Sequence, residues 1–290
     1  MRGSLTAGRS SRRLEIGFKA LLLLALSLAL ITLTVLIVDI VADGVGGLSL
    51  SFLTDVPSQI IPENSGIGPA ISGTLWLMLV CAAFIIPVGV ATAVYLEEYA
   101  DRSRWFNRAI EVNIQNLAAV PSIVYGILGL AFLVRGPLSL GNVVLAGGLT
   151  LGLLVLPVLI VAGREAVRAV PPSIREGSMA LGATKWQTIW KQVLPAALPG
   201  IATGVILSLS RAIGETAPLI VVGAVSFATF IPSGFGAEIT ALPIQIFDWV
   251  SQPQPEFKTL AAAGIIVLML ILLSMNAVAV WLRNKFEQKW

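Results

Sequence analysis

Histidine is absent from the 290 residues, and cysteine occurs once, as Cys81. The first absence removes histidine-based acid-base catalysis and the His-Cys clusters that hold zinc. The second removes an internal disulfide. Charge is also scarce: Asp, Glu, Lys and Arg make up 12% of the chain, against about a quarter in ordinary soluble domains. No Gly-Lys pair occurs, so the sequence lacks the Gly-x-x-x-x-Gly-Lys-Ser/Thr loop that cradles nucleotide phosphates. Neither HExxH nor GxSxG is found, which argues against a metalloprotease or an esterase of those types. Any energy from ATP must enter through another polypeptide.

Apolar sequence is abundant, with 56% hydrophobic residues and a mean hydropathy of +0.89. Long apolar stretches cover residues 16–38, 70–96, 118–134, 143–162, 199–225 and 260–282. Each is roughly long enough to cross the ~30 Å hydrocarbon layer as a helix, and none shows the alternation of a membrane barrel strand. The expected fold is all-α, a polytopic membrane protein of about six transmembrane helices. It forms one domain over residues 16–290 behind a tail of residues 1–15. The basic start MRGSLTAGRSSRR has the form of a signal peptide, but the apolar part behind it far exceeds the ~7–15 residues of such a segment. It is read as a retained first helix.

Orientation follows from basic residues, which stay on the cytoplasmic side. Of the 19 Lys and Arg, all but Arg135, Lys258 and Arg211 fall on one side, together with both termini. The first loop on the other side carries Asp39, Asp43, Asp55 and Glu63 and no basic residue. The net charge of +3 therefore belongs to a membrane face next to lipid and does not indicate nucleic acid. Residues 226–259 form a long external stretch rich in aromatic and aliphatic side chains, within which ALPIQIFDWV is expected to be a short helix lying against the membrane surface.

The most informative cytoplasmic stretch is residues 164–198. Pro171 and Pro172 end any helix arriving from the fourth span and open a new one. Glu176 is expected near the positive end of that helix, and Gly182 supplies a left-handed residue to terminate it. ATKWQTIWKQV then forms a second helix before Pro195. The remaining basic residue, Arg211, lies with Glu215 inside the fifth apolar stretch. A mid-membrane charge costs at least ~2.5 kcal/mol on insertion scales and normally faces a bundle interior or a wet cavity. Spacing of four puts both side chains on one helical face. Two readings stay open: a self-neutralising structural pair, or a guanidinium presented to an anion in transit with Glu215 moderating it and Thr216 beside it. Gly214 and Pro218 predict a kink at this level. Ser122 and Tyr125 are further candidates for the path. The pairs Gly148/Gly152 and Gly200/Gly204 have the spacing of close helix packing.

The stretch Glu176, Gly177, Ser178, Gly182, Leu194, Pro195 resembles the Glu-Ala-Ala loop of the membrane subunits of binding-protein-dependent ABC importers. It departs from the pattern in having Gly177 and Ser178 for the two alanines and Gln192 where isoleucine is frequent. GIGPAISGTLWL, VATAVYLEEYA, VPSIVYGILGLAFLV, SRAIGETAPLIV and ALPIQIFDWVSQPQPEF are similar to the phosphate importer permeases of the PstA type, over most of the chain beyond about residue 60. The resemblance implies an ABC importer type I permease fold in a bacterial or archaeal cytoplasmic membrane. It also implies a second permease of the PstC type, a dimer of PstB-type ATP-binding subunits docking on the loop, and an external PstS-type phosphate-binding protein. ATP and Mg would sit on the ATPase, with no cofactor in this chain. A permease for another oxyanion such as molybdate or phosphonate, and an ion-coupled secondary carrier, are the alternatives.

Overall fold

The computed structural model describes residues 9–101 and 103–286. Residues 1–8 of the expected tail lie outside them, as do Arg2, Arg102 and Lys289 from the basic side. Helix α1 (Arg9–Gly44) begins ahead of the predicted edge at residue 16. The chain continues through a short helix α2 (Leu50–Thr54) to α3 (Gly68–Val94), whose last turn widens into a π-turn over Tyr95–Tyr99. Among the described residues the β pairing consists of one isolated bridge, Val143 with Glu238.

Helix α6 (Val144–Arg168) is the centre of the bundle. It packs along α3 on one side and along α9 (Leu194–Ile213) on the other. Leu151, Leu154, Val155 and Leu159 of α6 are buried with Leu77, Cys81 and Ile85 of α3. In a membrane the lipid is as apolar as leucine, so close van der Waals fit has to hold such helices together, and small residues provide it. A side chain at Gly148 would meet Val80 at 2.5 Å, and one at Gly204 would meet Ala162 at 2.8 Å. Both glycine pairs singled out in the sequence lie in these contacts. Helix α1 instead packs against α12 (Pro255–Phe286), where Gly44 approaches the Ala262 backbone. None of its apolar membrane segment is buried, and residues 21–36 are all exposed.

The third predicted span, residues 118–134, is a single short helical piece, and a second piece precedes it at a sharp angle. Residues 105–134 form two pieces meeting at 106°: α4 (Trp105–Ala118), then α5 (Ser122–Gly129), which continues through a π-turn over Leu130–Val134. Pro121 lies between them in an extended conformation, and its ring keeps the preceding residue out of helical geometry. Helix α4 carries Asn107, Arg108, Glu111, Asn113 and Gln115, a polar load suited to running across a membrane face.

The fifth stretch also differs from expectation. The second helix of the loop does not end before Pro195. Helix α8 (Lys185–Thr188), a π-turn over Ile189–Val193 and α9 form one continuous helical run from Lys185 to Ile213. Pro195 falls in the first turn of α9, directly after the π-turn, so the missing N–H interrupts no regular α-helical ladder. At the other end the expected kink is a full break. Helix α9 stops at Ile213, and α10 (Ala217–Val222) starts beyond a three-residue gap with Pro218 in its first turn.

The segment after α10 is likewise not a surface strip. It turns back into the bundle, where Ser72 Oγ donates to Pro232 O (2.6 Å) and Leu242 N donates to Thr74 Oγ1 (2.9 Å). Ile239, Thr240 and Ala241 are buried against α3 and α6. Helix α11 (Leu242–Ser251) comes next, with Leu242, Ile244, Ile246 and Trp249 buried. Trp249 packs against Phe52 with ring centroids 5.8 Å apart. One side of α11 is apolar enough to need a core, and α2, α3 and α12 provide it.

Candidate functional site

Arg211 occupies the last turn of α9, where a cation interacts favourably with the negative end of the helix dipole. The helix closes with Gly214 N donating to Arg211 O (3.3 Å) and Glu215 N donating to Ala212 O (3.2 Å). This turn brings Glu215 back over the helix, and Arg211 Nε lies 3.4 Å from Glu215 Oε1. The predicted pair is therefore formed, although Glu215 sits in the break and not on the helix itself. The Arg211 side chain is 39% exposed and that of Glu215 19%, so within this chain the guanidinium opens on an uncovered face. Thr216 takes the N-cap position of α10, half-buried, and its side chain makes no capping bond.

Helix α10 is held against α5. Pro218, Leu219 and Val222 are buried, and the backbone of Pro218 crowds the place where a side chain at Gly126 would stand, 2.8 Å away. Behind the pair, Ser210 Oγ donates to Asn276 Oδ1 (2.8 Å) and ties α9 to α12. Tyr125 is buried, and its hydroxyl donates to Leu117 O (2.8 Å) across the α4–α5 corner. That bond commits the hydroxyl to the corner.

The second group of predicted residues maps onto α7 (Pro172–Ala180), the turn at Gly182 and the start of the long helical run. Pro172 opens the helix and Gly182 ends it with φ +86°. Thr184 then caps α8 reciprocally with Gln187. Glu176 is not at the positive end: it lies in the second turn, and the first turn contains no acidic residue. Glu176, Gly177, Met179 and Leu181 are exposed, while Ser178 shares a 2.9 Å hydroxyl bond with Thr188 of α8. Leu194 and Pro195 are separate from this face, half-buried at the base of α9.

A charged cluster beside α7 was not anticipated from the sequence. Glu97 and Glu98 lie in the π-turn at the end of α3, with side chains 8% and 10% exposed. Glu97 receives both Arg168 Nε and Nη2 (3.1 Å each) and lies 3.7 Å from Arg164 Nε. Arg164, itself 8% exposed, reaches Glu111 of α4 at 2.8 Å. A cavity of about 250 Å³ opens beside Asn107, Arg108, Glu111 and Arg164. Buried charges persist only when paired, and here the pairings tie α6 both to the end of α3 and to α4. The available signal was the Glu-Glu of LEEY at the edge of an apolar stretch, opposite arginines whose sign alone enters the orientation argument.

A span that stops short at a charge pair makes sense in a molecule that passes a solute, and the class is that of the multispan permeases. The chain belongs to the family of binding-protein-dependent transport system inner membrane components, whose pattern matches residues 85–288. It is 34% identical over 226 residues to the phosphate transport system permease protein PstA 1 of Mycobacterium tuberculosis (strain ATCC 25618 / H37Rv), covering 77% of this chain and 72% of that one. It is 31% identical over 239 residues to the phosphate transport system permease protein PstA of Yersinia pestis, covering 82% and 79%. In fold it is similar to a chain of the MetNI methionine ABC transporter in an inward-facing conformation, with a TM-score of 0.64 at 16% identity over 76% of this chain and 95% of that one. A chain of a bacterial alginate ABC transporter gives 0.57 at 15% identity over 92% and 93%. At that identity these two likenesses speak for the fold, which is that of the ABC importer type I permeases.

Proposed function

We propose that this chain is the membrane subunit of an ATP-driven importer of inorganic phosphate, with both termini on the cytoplasmic side. The observation that carries the reading is Arg211, a permanently charged guanidinium at the broken end of an apolar helix, 39% exposed and only partly balanced by Glu215. The names of the relatives, phosphate transport system permeases, support the same substrate. Phosphate is an anion near neutral pH and would be rejected by a wholly apolar path. Arginine's planar fork matches its oxygens and keeps its charge when desolvated. Glu215 weakens the site enough for the anion to leave, and the hydroxyl of Thr216 adds a donor beside it.

On this reading a PstC-type permease covers the open face of Arg211 and completes the path. Two PstB-type ATPases, carrying ATP and Mg, dock on the permease pair, one of them on α7 through Glu176, Gly177, Ser178 and Gly182. A PstS-type binding protein delivers phosphate to the opposite face. ATP binding closes the ATPases and moves α7, and hydrolysis resets it. The test is uptake of radiolabelled phosphate by proteoliposomes holding all four components, wild type against Arg211→Gln. The expected result is ATP-dependent uptake that Arg211→Gln abolishes while the complex stays assembled. Full uptake by that variant would leave Arg211 and Glu215 as a structural pair. Uptake of molybdate or phosphonate in place of phosphate would reassign the substrate, and uptake by this chain without an ATPase would make it a secondary carrier.

A further inference from the structure

Helix α7 has no fully buried residue; Ile174 rests half-buried against the apolar cluster of Val167, Val170 and Val193, and two polar grips fix the helix from the side. One grip is the hydroxyl pair Ser178 and Thr188. The other is Arg175, whose guanidinium makes four contacts. Nε and Nη2 approach Glu98 Oε1 at 2.9 and 2.8 Å, Nη1 donates to Val170 O (2.6 Å), and Nη2 also donates to Val167 O (2.8 Å). The two carbonyls belong to the C-terminal end of α6 and the residues after it; Val167 O also accepts from Val170 N (3.3 Å), and Pro171, four positions on from Val167, has no N–H to offer it. Glu98 belongs to the π-turn that ends α3. Its own carbonyl accepts from Lys185 Nζ, at the start of α8, and that ammonium stands 4.9 Å from the Tyr99 ring centre.

Arg175 thus joins the small exposed helix to both central helices of the bundle. The site is partly closed to water, with the Arg175 side chain 20% exposed and Glu98 10%. Screening is weak there, and removing either charge strands the other. Helices α3 and α6 both pack against α9, which carries Arg211. A displacement of α7 therefore has a short, stiff route to the charge pair.

We propose that Arg175 and Glu98 are positioning residues that carry movement of α7 into α3 and α6. This rests on the reading of α7 as the ATPase dock. A mere folding staple would affect yield and stability alone; a transmitting link also sets how much solute moves per ATP.

The experiment uses the complete complex in lipid, with two readouts on wild type, Glu98→Gln, Arg175→Gln and the milder Glu98→Asp. The first is phosphate taken up per ATP hydrolysed. The second is the distance between spin labels at exposed Ser173 of α7 and exposed Val88 of α3, measured with and without ATP; the native thiol, Cys81, is buried and takes no label. In wild type the distance should be narrow and stay so on ATP binding, because the two helices move together. In both glutamine variants it should broaden, with uptake per ATP falling about tenfold while ATP hydrolysis and co-purification persist. Glu98→Asp, which keeps the charge but shortens its reach, should fall between. If Glu98→Gln keeps the wild-type ratio and a narrow distance, the link is overturned. If both glutamine variants fail to assemble, Glu98→Asp decides on the same two criteria. A wild-type complex that takes up no phosphate overturns the substrate reading instead, and the label distances still decide the link.

Discussion

The contact between Gly126 and Pro218 sets how firmly α10, and with it the break at Gly214–Thr216, is held. In Gly126→Ala the new methyl group would lie 2.8 Å from Pro218 Cα, 3.0 Å from Pro218 O and 3.0 Å from Val221 Cβ. Carbon atoms pack best at about 3.5–4.0 Å, so the two carbons overlap by roughly half an ångström or more, the carbonyl oxygen is crowded as well, and both Pro218 atoms are backbone. No rotamer change removes that overlap. Overfilling of this kind costs about 1–3 kcal/mol, which corresponds to a lowering of the unfolding midpoint of roughly 2–10 °C. The strain should be relieved by movement of α10, because it is six residues long and joined to α9 by a non-helical break, whereas α5 is anchored through Tyr125 and Leu117. Glu215 and Thr216 would move with it and Arg211 would not. The expected outcome is a complex that assembles, melts lower, and loses most of its transport. Gly46→Ala, where a methyl group meets nothing within 4 Å, is the control. Wild-type melting and transport in Gly126→Ala would refute the claim that this contact positions the break.

Two further substitutions test other contacts. Gly182→Ala places a side chain at φ +86°, a left-handed conformation disfavoured by about 1–2 kcal/mol; it should loosen the turn after α7 and weaken ATPase co-purification, whereas Gly17→Ala, in α1 with nothing within 4 Å of the new methyl group, should leave assembly intact. Thr74→Val preserves shape but leaves the buried Leu242 N–H without its acceptor; a loss of about 1–3 kcal/mol should appear as earlier thermal unfolding, with helix content unchanged.

Local signals in the sequence carry much of the fold. The apolar lengths locate the spans, the proline pair and Gly182 delimit α7, and the spacing of Arg211 and Glu215 brings the two together. Sequence reasoning fails where a local signal competes with a distant partner. Pro121 marks a boundary, but only packing against α6 and α10 makes that boundary a 106° corner. Pro195 carries the usual signature of a helix end, and the π-turn before it removes the conflict. The apolar side of ALPIQIFDWV is clear, yet whether lipid or protein covers it depends on Phe52 and Phe257, the first of them far away in the chain. Glu97 and Glu98 are visible as charges, but their arginine partners lie about 70–80 positions onward, a separation at which periodicity carries no information.

The helical run from Lys185 to Ile213 has a mechanical consequence. At 1.5 Å per residue, Arg211 stands about 39 Å along this rod from Lys185. Were the rod to pivot at its α7 end by about 5°, the guanidinium would swing through roughly 3 Å. That is close to the 3.4 Å separating it from Glu215. A tilt of a few degrees would thus move the guanidinium, relative to groups on facing helices, by about the length of one ion pair.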